Sequence, residues 1–167
     1  MDWYMTTLRI IHLLAAIVWV GGTAFMVLFL QPALRTVTLE VQRPVMLATG
    51  PRAVAGMVAS AAIVLITGIL MVLHVFGLDG LDQLFNTRNM WGQSIFLGFL
   101  LTVAMFAVGF TFVMRNILRM KAMAVAGTPP SPEQAMRMGK QMRYGAMIAL
   151  LLGMLAVVVM LIARGYN

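Results

Sequence analysis

Long apolar runs separated by short polar stretches dominate the chain. Four of them stand out: Leu8 to Leu30, Ala53 to Phe76, Trp91 to Met114 and Gly145 to Ala163. Each has about 19–24 residues, enough for a helix to cross a ~30 Å hydrocarbon core. The first is too long for a signal-peptide core. Asp2 precedes it with no basic segment, and Gln31-Pro32 is no cleavage site, so it reads as a retained span. The expected fold is all-α: one transmembrane domain, 1–167, built as an integral membrane four-helix bundle.

From Asn116 to Ala126 the sequence lacks a helix breaker, so the third span should continue past the bilayer. Gly127-Thr128-Pro129-Pro130 then stops it. Ser131-Pro132-Glu133 reads as N-cap, proline at the first helical position and acid in the first turn. Helices 3 and 4 are therefore expected to extend into a hairpin outside the membrane.

Composition agrees. Of 167 residues, 62% are hydrophobic and 10% charged, where soluble domains run nearer a quarter charged, so the excess apolar surface should face lipid. The net charge is +7, and its distribution carries information. Arg35, Arg43 and Arg52 fall between the first two spans. Arg115, Arg119, Lys121, Arg137, Lys140 and Arg143 fall between the last two. The other side holds Arg9, Arg88 and Arg164, together with Asp2, Asp79 and Asp82. Nine basic residues against three put both of those connections and the hairpin in the cytoplasm and both termini outside. The basic hairpin suits anionic lipid headgroups or a docking partner, and no nucleic-acid partner is expected.

Several chemistries drop out. With no cysteine, thiolate metal sites and thiol catalysis are excluded. No Asp, Glu or Lys lies within the four spans, which argues against a carboxylate proton relay or ion path.

What remains is a pair of histidines, His12 and His74, both inside predicted spans. His12 lies about one turn into the first and His74 in the last turn of the second, so antiparallel helices should bring them to a similar depth near the outer face. On the first span Met5, Arg9, His12, Trp19, Gly22 and Met26 share a stripe; Gly56, Ser60, Thr67, Met71 and His74 share one on the second. Either histidine could be a hydrogen-bonded packing residue or a ligand. As ligands, imidazoles suit heme iron or copper. Heme would take His12 and His74 as opposed axial ligands; copper would add Met71 to them, with Met5 a further candidate. The chain has 17 methionines, most of them read as flexible packing residues. Trp19 sits too deep for an interfacial belt, so its indole N–H needs an interior partner, while Gly21-Gly22 thins the helix for a neighbour or a flat cofactor. Trp3, Tyr4, Trp91 and Tyr166 read as interfacial anchors. Arg9 could pair with an acidic ligand group such as a heme propionate, or snorkel to headgroups.

The segment His12-Leu13-Leu14-Ala15-Ala16-Ile17-Val18-Trp19-Val20-Gly21-Gly22 resembles the first helix of the copper-resistance protein D (CopD) family. It is also similar to that of HemJ-type four-helix membrane proteins, bacterial protoporphyrinogen oxidases. In both, an early histidine is followed seven residues later by Trp and then by glycines. The resemblance covers about the first 35 residues and is carried more weakly by Thr67-Gly68 with His74 and by Trp91. It implies a bacterial inner-membrane bundle with copper or heme-linked redox chemistry and His12 as ligand. HemJ-type proteins carry a lysine in the third helix; here Gln93 is the nearest polar residue, a departure that bears on the oxidase activity and leaves heme binding open. The expected function is heme b binding with a redox or electron-transfer role, quinone or porphyrin being the small-molecule partner. The rival expectations are copper transport or resistance, and a small non-catalytic subunit of a larger membrane complex or homo-oligomer.

Overall fold

The computed structural model describes residues 2–77, 90–128 and 130–164. The outer-side charges Asp79, Asp82 and Arg88 and the aromatic Tyr166 lie outside the described residues, as do the side chains of Trp91 and Arg164. Among the described residues the chain is helical and has no strand. We label the helices α1 (Trp3–Leu34), α2 (Leu39–Phe76), α3 (residues 90–125) and α4 (Pro132–Arg164). All four are long and apolar enough to cross a membrane.

Each helix outruns its apolar stretch at one end or both. At the start, Asp2 caps α1: its carboxylate accepts from the Tyr4 and Met5 backbone N–H groups at 3.1 and 3.2 Å, so the helix begins five residues before Leu8. The expected loop between Gln31 and Arg52 shrinks to a tight connection after Leu34, because α2 already starts at Leu39 behind Thr38 and holds Pro44 and Pro51 inside it. Hydropathy marks where lipid ends, not where a helix ends, and the helix runs on through the Gly50-Pro51 turn signal. After Val125 the chain turns at Gly127, whose φ of 65° is the left-handed conformation that favours glycine. Ser131 and Gln134 then cap α4 reciprocally, each side chain accepting from the other's backbone N–H at 3.2 and 3.1 Å.

Two helices widen locally into π-helix, over Met26–Leu30 in α1 and Gly109–Met114 in α3. The first has a covalent cause. Pro32 has no N–H to give the Leu28 carbonyl and its ring crowds that oxygen, so the ladder slips by one residue and the Gln31 N–H bonds the Met26 carbonyl. In the second, Asn116 Nδ2 donates to the Phe112 carbonyl at 2.8 Å and satisfies an oxygen of the widened segment.

α1 packs along α2 and α3 along α4, the pairs meeting mainly through α1 and α4 while α2 and α3 touch at few points. All four helices converge on one small core: Ala15 and Trp19, Ala61 and Val64, Met105, and Ala149. Glycines set the α3–α4 spacing. A Cβ on Gly145 would collide with Phe112, and one on Gly153 would stand 2.8 Å from Met105 Sδ. Outward faces are as apolar as the core, with Leu13, Leu14 and Ile17 of α1 and Leu151 and Leu161 of α4 exposed. Such surfaces suit lipid, the make-up of a multi-pass membrane protein.

Candidate functional site

The interior face of α1 repeats every three or four residues: Leu8, His12, Ala15, Trp19 and Thr23, all but half-buried His12 fully buried. This stripe lies against Ala61, Val64, Thr67 and Gly68 of α2. His12 therefore points at the helix pair's own interface and not at lipid.

Thr67 Oγ1 lies 2.6 Å from the Ile63 carbonyl and 2.9 Å from His12 Nδ1. A hydroxyl has one proton, and a carbonyl only accepts. The Thr67 proton therefore goes to Ile63, and His12 Nδ1–H donates to Thr67. In the neutral ring that leaves the lone pair on Nε2. The Val64 carbonyl also accepts from the ring, and among the described residues no side-chain nitrogen or oxygen is both sealed and unpartnered, so an Nε2 without a donor keeps some access to an incoming group. Gly68 makes the fit: a Cβ on it would stand 3.4 Å from His12 Cε1, close enough that a larger side chain would press on the ring. This orientation of imidazole by a second residue is how proteins present a metal ligand.

His74 lies elsewhere. Its Nε2 donates to Asp2 Oδ2 at 2.7 Å, and its ring stacks obliquely on Tyr4, centroids 4.9 Å apart. Thr67 faces His12, so the seven residues from Thr67 to His74 separate the two histidines by about 10 Å along the helix axis. The expectation that they share a depth is corrected. α1 starts at Trp3, which sinks His12 into the third helical turn, while α2 reaches Asp2 only at His74. Two rings so placed do not flank one iron.

The remaining predicted residues separate as well. Arg9 is exposed. Met71 is half-buried one turn beyond Thr67, between the levels of the two histidines. Among the described residues no three His, Asp or Glu side chains converge as a metal cage. Trp19, two turns below His12, lines a cavity of about 250 Å³ in the half of the bundle away from the termini. All four helices contribute to its wall, and both π-helical segments face it. Near its far end Asn116, 3% exposed, also donates to Gln141 Oε1 at 3.3 Å and ties α3 to α4. Neither the cavity nor the clasp is apparent from the hydropathy pattern. The signals for them were Pro32, which forces one π-segment, and the lone Asn116 at the edge of an apolar run.

Compared with protein-family models, with curated proteins and with solved structures, the chain matches none.

Proposed function

We propose that this chain is an inner-membrane protein that binds heme b through His12 and serves a redox or electron-transfer role. One observation carries the reading: Thr67 fixes the imidazole through Nδ1, which leaves Nε2 as the ring's ligating nitrogen. His12 alone would hold the group, since His74 is engaged by Asp2 about two turns away. This replaces bis-histidine ligation by single-histidine ligation. Held there, heme would supply a one-electron couple. The residues of the chain do the rest: His12 binds, Thr67 holds its tautomer and angle, and Gly68 leaves the ring room against α2.

The positive-residue distribution supports periplasmic termini, with the basic end of α3 and start of α4 forming a cytoplasmic hairpin. A visible spectrum with metal analysis on purified protein tests the heme assignment. The expected result is a Soret band that His12→Ala abolishes and His74→Ala retains. Copper without heme in the same preparation would replace this reading with copper handling, and no cofactor at all would make the chain a structural subunit.

A further inference from the structure

We propose that the cavity below Trp19 binds the head ring of a lipid-soluble quinone, its carbonyl accepting a hydrogen bond from the Trp19 indole N–H. Trp19 is 93% buried (7% exposed) and lines the cavity; its indole N–H makes no hydrogen bond among the described residues, and since none of their sealed side-chain nitrogens lacks a partner, that N–H is reachable from open space beside it. An indole buried in a helical bundle normally finds an acceptor, and a polar group left bare in apolar surroundings costs free energy that an acyl chain could not repay. The occupant must therefore bring an acceptor. It must otherwise be apolar, because Thr23 and Gln31 are the other polar residues of the lining and the Thr23 hydroxyl already bonds the Trp19 carbonyl at 2.8 Å.

Size narrows the class. About 250 Å³ falls under the ~300–1,000 Å³ of pockets that enclose drug-sized ligands, which suits a single ring and not a tetrapyrrole. The walls suit a ring too: Phe106 and Phe110 offer aromatic faces. Met26, Met46, Met57, Met105, Met114 and Met142 surround the space with flexible thioethers that adapt to a ring and its tail. Two π-segments flanking the same cavity are a further mark of function, since such segments concentrate at functional sites. The sparse seam between α2 and α3 gives a bilayer-dissolved molecule its entrance and leaves its tail in lipid. The choice of quinone among carbonyl-bearing ring lipids rests on the redox reading above; the cavity and its bare donor do not.

Full-length protein in lipid nanodiscs, titrated with a short-tailed benzoquinone, tests this by retention of the quinone's own absorbance. Saturable binding is expected. Gly109→Leu and Ala146→Phe, which fill the cavity from α3 and α4, should abolish it, and Gly109 has open space for the added side chain. Trp19→Phe, which keeps an aromatic but removes the donor, should weaken binding about fivefold, the worth of one hydrogen bond. His12→Ala should bind quinone normally while losing the Soret band, so failure at one site is told from failure at the other. Equal affinity in the wild-type protein and both filled variants, or no quinone binding with acyl lipid recovered from the protein, would overturn the proposal and make the cavity a lipid slot.

Discussion

At the scale of single residues, one proton on Thr67 decides the chemistry of His12. Because the hydroxyl is committed to the Ile63 carbonyl, the imidazole must donate through Nδ1 and accept or ligate through Nε2. Thr67→Val keeps the shape and removes the acceptor; heme affinity measured by Soret titration should fall about 10–100-fold, and Thr67→Ser should restore most of it. Equal affinity in Thr67→Val would show that the contact is packing alone. Asp2 gives a second, independent prediction. Its carboxyl is held below the usual value of 3.8, chiefly by the hydrogen bond from His74 and next by the Met5 N–H. A carboxyl lowered on folding adds stability above its unfolded value and loses it as pH falls through the folded one. The protection of the Tyr4 and Met5 amides against exchange should therefore fall in acid below about pH 4. Asp2→Asn, which can still cap α1, should flatten that step. In the sequence, the scarcity of polar residues made both histidines visible. Their partners were hidden, because which residue of α2 faces His12 depends on where α1 begins, and that was set by Asp2 and not by the apolar run.

At the scale of elements, every predicted span is present, and each helix outruns the stretch that revealed it. The π-segments were not foreseen, yet the one in α1 follows from Pro32 once the missing N–H is traced to the Leu28 carbonyl. Packing between α3 and α4 rests on glycines whose role appears only when the facing side chain is known. At Gly145 that is the Phe112 side chain at its root, next to the backbone, which cannot swing aside. Gly145→Ala should cost about 1–3 kcal/mol through overpacking, seen as a lower thermal midpoint in detergent. An unchanged midpoint would show that α3 and α4 have slack there.

At the scale of the whole molecule, two helix pairs share a small core at mid-depth, with His12 above it and the Trp19 cavity below. The sequence pointed to the bundle and to His12 and Trp19 as residues of interest, but the four-helix cavity depends on packing between distant segments and left no local pattern. Orientation remains a matter of charge, and it is testable because the chain has no cysteine to interfere. Thr36→Cys, between α1 and α2, should react with an impermeant maleimide only from the cytoplasmic side, and Asn167→Cys only from outside. The reverse pattern would invert the topology. The most direct measurement for the central claim is the visible spectrum of purified protein with its His12→Ala and His74→Ala variants. A Soret band present in the wild type and in His74→Ala and absent from His12→Ala is the predicted result. No band in the wild type, or a band that survives loss of His12, would contradict it.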